Sequence, residues 1–201
     1  MARKVGVGHD QVVDAAAAIA DRDGLAAVSL AAVAESVGVR SPSLYSHVDG
    51  LDGLRRDLMV RASRLLAEQF AVAVHNHDDD PHAALRAIAH AYRSFAIEHP
   101  GLYAALLPAP RAEDDSEAAA AAFEAVRVIA SLLDQLGIGA DRHIHLIRVL
   151  RAMLHGFADL ELRGGFGLTE SVDESFDAAV DVMLGAVEGL ERDPSRRDSR
   201  R

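Results

Sequence analysis

The chain of 201 residues contains no cysteine and no tryptophan, and only 4% of its residues are aromatic. The absence of cysteine excludes disulfide bonds, thiolate metal sites and a cysteine nucleophile. No apolar run approaches the roughly 18 residues of a membrane-spanning helix, and the N-terminal sequence MARKVGVGHDQ has no long apolar core. These absences predict a soluble, cytoplasmic protein.

What the chain does contain is alanine-rich sequence of helical character. Half of the residues are apolar, and few β-branched or aromatic residues follow one another. This composition favours an all-α protein with room for a sizeable core. Apolar residues recurring at three- and four-residue steps predict about nine helices. They cover residues 9–22, 30–37, 42–47, 51–75, 81–99, 101–107, 116–136, 141–163 and 172–190.

Charge is distributed unevenly along the chain. Residues 1–64 hold eight basic and eight acidic residues, so the whole net charge of −10 lies in residues 65–201. Because affinity for nucleic acid rests on Lys and Arg, only the N-terminal segment is electrostatically suited to approach DNA. We predict one domain at 1–64, a second helical domain at 65–191, and a disordered tail at 192–201.

The most unusual stretch is VRSPSLYSHVDG, which contains the third predicted helix. Ser29 is suited to cap the second helix and Gly38 to the left-handed turn after it, whereas Ser41 and Pro42 are suited to begin the third. Two short helices joined at Gly38 make a helix-turn-helix, with valines and a leucine filling the space between them. The third helix keeps a polar face of Ser41, Pro42, Ser43, Tyr45, Ser46 and His47. Short hydroxyl donors flanked by phenol and imidazole groups suit base edges and phosphates in a major groove.

The segment VSLAAVAESVGVRSPSLYSHVDGLDGL, residues 28–54, resembles the DNA-binding domain of TetR-family transcriptional repressors. The likeness extends over about residues 9–64 and is carried by the Gly-Val pair, the proline at the helix start and the Leu-Tyr-x-His sequence. It implies a homodimer that binds double-stranded DNA. The implied DNA-binding residues are Ser29, Arg40, Ser41, Pro42, Ser43, Tyr45, Ser46 and His47. Within that set, Arg40 and residues 41–43 would contact bases, and Tyr45 and His47 would contact phosphates.

Some positions depart from the family pattern and leave alternatives open. Leu51 stands where many members have a phosphate-binding lysine; either Arg55 or Arg56, one turn on, replaces that contact, or the contact is lost. Losing one phosphate contact lowers the salt dependence of binding by roughly one unit. A valine at position 48 replaces the usual phenylalanine. Arg40 would either read a guanine or pair with the aspartates at positions 49 and 52.

Two further segments, residues 92–107 and 154–166, resemble the ligand-binding and dimerisation region of a TetR branch that carries a Trp-His-Gly motif. Here Leu154, His155 and Gly156 occupy that motif. The resemblance implies a small apolar or amphipathic effector that releases the repressor from a palindromic operator. The candidate effector-binding residues are Tyr92, Phe95, Tyr103, Leu106, Phe123, Arg127, Met153, His155 and Phe157. Helices 141–163 and 172–190 have the widest apolar faces, and we expect them to form a four-helix bundle with a second subunit.

Several histidines and aspartates could bind a metal or an effector, but they also have structural explanations. The string HNHDDDPH, residues 75–82, holds imidazole and carboxylate groups of the kind that bind metals, but a solvated loop between domains has the same composition. His143 and His145 are about 200° apart on a helix, so they cannot share an ion. His155 is either a buried, hydrogen-bonded residue or an effector contact.

No Ser-His-Asp spacing, phosphate-binding loop or carboxylate pair stands out in the sequence, so we predict neither an enzyme nor a cofactor. Two alternatives to a DNA-binding repressor stay open. One is a helical small-molecule-binding protein that no longer reads DNA, and the other is a metal-responsive regulator.

Overall fold

A computed structural model describes residues 7–108 and 116–191, which form helices and loops with no strand among them. The α-helices are His9–Asp23 (α1), Leu30–Ser36 (α2), Gly50–His75 (α3), Pro81–Glu98 (α4), Pro100–Ala105 (α5), Ser116–Gln135 (α6), Ala140–Leu162 (α7) and Val172–Glu191 (α8). Two short 3-10 helices lie at Leu25–Ala27 and Ser41–Ser46. The all-α fold is therefore confirmed. Every predicted helix is present, although the third is a 3-10 helix.

The chain folds into two compact units. Among the described residues, the first unit contains 7–65, 98–108 and 116–122, and the second contains 66–97 and 123–191. The first unit thus includes a stretch that the predicted domain scheme assigns to the C-terminal domain. The loop at 75–82 lies within the second unit and not between the two. The predicted limits of 1–64 and 65–191 stay a prediction, and the predicted tail, 192–201, lies outside the described residues.

The core of the first unit is formed by apolar faces with helical spacing. α1 packs against α2 and α5, and α2 packs against the 3-10 helix Ser41–Ser46. The largest fully buried side chains here are Val12, Val28, Val33, Leu44, Leu54 and Leu58. Several of these helices are short, so their stability comes from packing more than from intrinsic helix propensity.

Local signals set the ends of α2. The Ser29 hydroxyl oxygen accepts a hydrogen bond from the Ala32 backbone N–H at 3.2 Å, and Gly38 has φ = 71°. Both predictions are confirmed. The predicted cap at Ser41 is wrong, because Arg40 holds the capping position of the 3-10 helix and no side chain caps it. With Pro42 in the first turn, one backbone donor that would need a cap is already missing.

In the second unit, α7 packs along α8. The buried side chains of these two helices are His143, Ile147, Leu150, Leu154, Ala158, Phe176, Val180, Met183, Leu184 and Val187. Arg93 of α4 joins both helices, since its guanidinium donates to Glu161 at 2.6 and 2.7 Å and to Asp173 at 2.7 Å. None of the helices in the described ranges is long and apolar enough to cross a membrane.

Candidate DNA-binding interface

The 3-10 helix Ser41–Ser46 is held by its one buried residue. Leu44 is completely buried, and its carbonyl oxygen accepts hydrogen bonds from the backbone N–H groups of His47 at 2.8 Å and Val48 at 3.0 Å. Val48 is itself buried, so the position where the resemblance expects phenylalanine also contributes to the core. The remaining side chains of this segment are therefore turned away from the core of the first unit.

The predicted DNA-contacting residues lie on one exposed segment. Arg40, Pro42, Ser43, Tyr45 and Ser46 are exposed, and Tyr45 keeps 66% of its surface accessible. Ser41 and His47 are half-buried. A large aromatic side chain that is this exposed does not contribute to closing the domain, and its hydroxyl is free to reach a phosphate.

Two of the serines in the predicted set are already engaged within the chain. Ser29 is half-buried and caps α2, so its hydroxyl oxygen accepts a backbone hydrogen bond. The Ser46 hydroxyl donates to the Ser43 carbonyl oxygen at 2.7 Å. Neither bond excludes a contact with DNA, because each hydroxyl oxygen has capacity for a second bond.

Arg40 differs from the other arginines of the first unit in its electrostatic surroundings. In the part of the chain that the structure describes, no carboxylate pairs with Arg40. Elsewhere in this unit, Arg22 pairs with Asp23 at 2.6 Å, Arg61 with Asp14 at 2.7 Å and Arg64 with Glu117 at 2.9 Å. The charge of Arg40 beside the 3-10 helix is therefore not neutralised by any carboxylate among the residues that the structure describes.

Asp49 and Asp52, the alternative partners of Arg40, form no ion pair with it among the described residues. Asp52 lies 3.7 Å from Arg55, which is a loose surface pair, and Asp49 is exposed. Leu51 is half-buried on the first turn of α3, while Arg55 and Arg56 are exposed one turn further on. The guanine interpretation of Arg40 is thus compatible with the geometry, and its pairing with an aspartate is absent from the described residues.

His9 links the start of α1 to α3. The Nε2 atom of His9, at the start of α1, lies 3.0 Å from a carboxylate oxygen of Asp57 on α3. Burial acts to lower the pKa of His9, but the hydrogen bonds and charges of Asp57 and Asp10 outweigh it, so the pKa is raised. We call the first-unit residues 7–65 the reading head; within it, protonated His9 binds the start of α1 to α3 through Asp57.

The candidate effector-binding residues are spread over both units. Tyr103 and Leu106 belong to the first unit and the other seven to the second. Tyr92, Phe95 and Tyr103 are buried, and Leu106, His155 and Phe157 are half-buried, whereas Phe123, Arg127 and Met153 are exposed. Phe157 joins an aromatic cluster with Phe166 and Phe176, with ring centroids 4.6 and 5.1 Å away. The effector-binding assignment stays a prediction.

The histidine- and aspartate-rich string has structural roles. Asp80 accepts hydrogen bonds from the backbone N–H groups of Ala83 and His82, both at 3.0 Å, so it caps α4, and these bonds lower its pKa. His77 bonds the Ala73 carbonyl oxygen at 2.9 Å, and His82 lies 2.8 Å from Glu191. No group of three metal-binding side chains occurs within 7–108 and 116–191.

The other histidines noted in the sequence are also placed by the fold. His143 is buried, with its Nε2 atom 2.8 Å from the Ile138 carbonyl oxygen, and His145 is exposed. Gly156 lies on an exposed helix face where an added Cβ would meet nothing within 4 Å, so packing inside the chain does not require this glycine.

One contact of the first unit was missed by the sequence reasoning. Asp21 of α1 bonds the start of α5, 80 residues further along the chain. No local signal marks an aspartate near a helix end as the partner of a distant helix. The nearest sequence signal is the Pro100-Gly101 pair, which marks a turn or a helix start and does not indicate Asp21 as its partner.

Comparisons with known proteins agree with this architecture. Residues 85–183 match the family described as "Tetracyclin repressor-like, C-terminal domain". An HTH-type transcriptional regulator of Bacillus subtilis (strain 168), YobS, is 37% identical over 189 residues, which cover 93% of this chain and 96% of that protein. A second HTH-type transcriptional regulator, from Mycobacterium tuberculosis (strain H37Rv), is 31% identical over 194 residues, with 96% of this chain and 85% of that protein covered.

A solved structure supports the fold. A single-site variant of TetR from Acinetobacter baumannii AYE, in complex with minocycline, superposes with a TM-score of 0.72 at 19% identity, and the match covers 94% of this chain and 100% of that chain. The helical reading head, the matching family model and the two related regulators lead to one assignment. The chain belongs to the TetR family of helix-turn-helix transcriptional regulators, which bind DNA and are not enzymes.

Proposed function

We propose that the protein is a homodimeric repressor that binds a palindromic operator through two copies of the 3-10 helix Ser41–Ser46. The observation that carries the proposal is Arg40, which is exposed beside this helix and has no carboxylate partner within 7–108 and 116–191. Arginine is the side chain that most often contacts guanine in the major groove, and here no internal ion pair has to be broken first. Ser43 and Tyr45 extend the same exposed surface toward bases and phosphates.

Dimerisation through α7 and α8 is supported by apolar faces that stay exposed on both helices. The faces that hold Leu150 and Leu154 of α7 and Val180 and Leu184 of α8 are buried inside the subunit. The opposite faces are also apolar and are exposed: on α7 they consist of Val149, Ala152, Met153, Gly156 and Leu160, and on α8 of Ala178, Val182, Gly185, Ala186 and Gly189. We call these two faces the outer stripe.

The outer stripe suits a second copy of the chain. Val182 keeps 69% of its surface accessible, and a Cβ added at Gly156, Gly185 or Gly189 would meet nothing within 4 Å. Small residues at helical spacing allow helices to approach closely, and two helices from each subunit would form a four-helix bundle. Two identical 3-10 helices in one dimer would bind half-sites about 34–36 Å apart, one turn of DNA, which favours a palindromic operator.

The proposed effector rests on the family and on one structural neighbour. The TetR variant of Acinetobacter baumannii AYE binds minocycline. By analogy, we propose that a small apolar or amphipathic molecule binds near the buried aromatic residues Tyr92 and Phe95 of α4. If the effector binds more tightly to a conformation of the protein that fits the operator poorly, effector binding lowers the affinity of the protein for the operator. Operator binding then lowers the affinity for the effector by the same factor.

The DNA-binding proposal is tested by fluorescence anisotropy with duplex DNA from the region upstream of the protein's own gene. We expect tight, salt-dependent binding to a palindrome, with affinity in the range of about 10⁻⁸–10⁻¹¹ M. The Tyr45→Phe, His47→Ala double variant should bind more weakly to all sequences, because phosphate contacts carry no sequence information. Retained affinity in this variant would contradict the phosphate assignment. A wild-type protein that binds no duplex at low salt would favour the small-molecule-binding alternative.

The dimer is tested by analytical ultracentrifugation. Val182→Asp places a charge in the centre of the outer stripe and should yield monomers with an unchanged far-UV circular dichroism spectrum. Val72→Asp serves as the matched control, because Val72 is similarly exposed but lies on α3. A Val182→Asp protein that remains dimeric would refute this interface.

A further inference from the structure

A groove of about 570 Å³ lies between α4 and the C-terminal part of α8, within the second unit. Besides three histidines, its charged lining consists of the carboxylates of Asp80, Asp181 and Glu188 and the guanidinium of Arg86. With neutral histidines these side chains carry a net charge of −2. We call this cavity the α4–α8 groove. Its charge suits a basic partner.

The middle of the α4–α8 groove is lined by small residues. Ala83 and Ala87 lie on α4, and Gly185 lies on α8, where an added Cβ would meet nothing within 4 Å. Arg86 and Asp181 pair at 2.5 Å and are both partly exposed. Small residues between charged side chains leave room for an extended segment of chain with polar side chains of its own.

α8 ends beside the α4–α8 groove. Its last residue, Glu191, has a carboxylate oxygen 2.8 Å from Nε2 of His82, which lines the groove near the start of α4. Glu188, about one turn before the end of α8, lines the groove itself. The chain therefore leaves α8 within the length of one side chain from the groove.

The ten residues that follow α8 are rich in arginine. Their sequence, RDPSRRDSRR, holds five arginines and two aspartates, a net charge of +3, whereas residues 65–191 hold 21 acidic and eight basic residues. We call residues 192–201 the arginine tail. A segment with this composition cannot bury enough apolar surface to fold alone, so any ordered position depends on another surface. The tail thus complements the charge of the groove next to which it begins.

The arginine tail is long enough to follow the groove. The groove residues of α8 extend from Asp181 to Glu188, which is about 10 Å along the helix axis. Ten extended residues span at most about 33–36 Å. A proline at position 194 does not fit inside a helix, which favours a change of chain direction after α8. Even after a turn, the remaining residues can reach both ends of the groove.

We propose that the arginine tail binds in the α4–α8 groove of its own subunit, where its guanidinium groups pair with the groove carboxylates. Arginine is suited to this because its planar guanidinium can form two parallel hydrogen bonds with one carboxylate. A short tether also gives the tail an effective concentration in the millimolar range at the groove. The inference goes beyond the proposed function, since it requires neither a dimer nor binding to an operator.

A second groove provides a matched control. It has a volume of about 600 Å³, lies between α3 and α6 in the same unit and includes Glu68, Asp78, Glu124 and Arg127 in its lining. With neutral histidine its net charge is also −2. Among the described residues, none of those that line it belongs to α8. Charge alone would favour both grooves equally, whereas the tether favours the α4–α8 groove.

Disulfide formation between two introduced cysteines tests this contact, because the chain has no cysteine of its own. The test variant combines Ala87→Cys in the α4–α8 groove with Ser199→Cys in the tail. The control variant combines Ser199→Cys with Ala71→Cys, which lies in the second groove. A disulfide requires the two Cα atoms to come within about 7 Å. Non-reducing electrophoresis and mass spectrometry of peptides distinguish a bond within one chain from a bond between chains.

We expect the disulfide of the test variant to form within one chain and at least about tenfold faster than that of the control variant. In about 1 M NaCl, where the screening length is about 3 Å, most of this difference should disappear.

Neutralising the groove should have the same effect as salt. Asp181→Asn with Glu188→Gln changes the net charge of the α4–α8 groove from −2 to zero, so we expect it to slow the disulfide of the test variant. Glu68→Gln with Glu124→Gln makes the matched change in the second groove and should leave that rate unchanged.

Three outcomes overturn the proposal. Equal rates in the test and control variants would show that the tail has no preferred groove, and a disulfide between chains would place the tail on a partner subunit. A fast disulfide that neither salt nor the neutral groove affects would show that charge does not hold the tail.

Two further measurements keep the test decisive. If the Ala87→Cys variant does not fold, Ala83→Cys lines the same groove, and the same rates are expected. Equal disulfide rates, together with weaker binding of Arg196→Glu, Arg197→Glu protein to duplex DNA, would assign the tail to nucleic acid instead.

Discussion

Replacing Arg40 by alanine tests whether this side chain reads a base. Arg40 is exposed and pairs with no carboxylate in the described parts of the chain. Its removal therefore breaks no ion pair in the free protein, and the free energy of unfolding should change by less than about 0.5 kcal/mol. A loss of operator affinity would then come from the interface with DNA and not from the fold.

The size of the effect follows from the number of reading heads. A bidentate contact between arginine and guanine contributes about 1–3 kcal/mol of discrimination. A dimer on a palindrome makes this contact twice, so Arg40→Ala should cost about 2–6 kcal/mol in total. Since about 1.4 kcal/mol corresponds to tenfold, the operator affinity should fall by about 30-fold to about 10⁴-fold.

Anisotropy titrations at several salt concentrations distinguish a base contact from a phosphate contact. A base contact leaves the salt dependence unchanged, and the variant should lose its preference for guanine at one position of each half-site. Arg22→Ala is the matched control, because Arg22 is exposed in the same unit but pairs with Asp23. If Arg40→Ala weakens all sequences equally and lowers the salt slope by about one unit per head, the base-reading assignment is wrong.

Three further predictions concern the free energy of unfolding, and urea denaturation measures each of them. Arg93→Ala should lower this free energy by about 2–4 kcal/mol, because it leaves the largely buried carboxylate of Glu161 without its partner. Arg163→Ala, which removes an exposed pair with Asp159, should lower it by less than about 0.5 kcal/mol, and equal costs would refute this reasoning. Because the pKa of His9 is raised in the folded state, its contribution is complete below about pH 6.5 and is lost as the pH rises further, and Asp57→Asn should reduce this dependence. Ser29→Ala should remove the cap of α2 and cost about 1 kcal/mol, and no change would contradict the capping role.

The sequence determined the helices because their ends are set by local chemistry. A serine that caps, a glycine with positive φ and a proline at a first turn act over three or four residues, so Ser29, Gly38 and Pro100 mark ends that the fold retains. The polar surface of the third helix was also predictable from the sequence. Leu44 is the only buried residue of this helix, so the other positions do not have to be apolar.

The short third helix also shows a limit of local signals. Ser41 has the residue type of a cap, yet Arg40 occupies the capping position and the segment is a 3-10 helix. Local propensity does not decide between an α-helix and a 3-10 helix over six residues, because tertiary packing, here the burial of Leu44, overrides it.

The tertiary structure alone decided which surfaces meet. Both faces of α7 and α8 are apolar, so hydrophobic periodicity could not tell the face that packs inside the subunit from the outer stripe. In the same way, nothing near Asp21 in sequence indicates α5 as its partner. Helix ends follow from neighbours along the chain, whereas burial and capping at a distance depend on elements that only folding brings together.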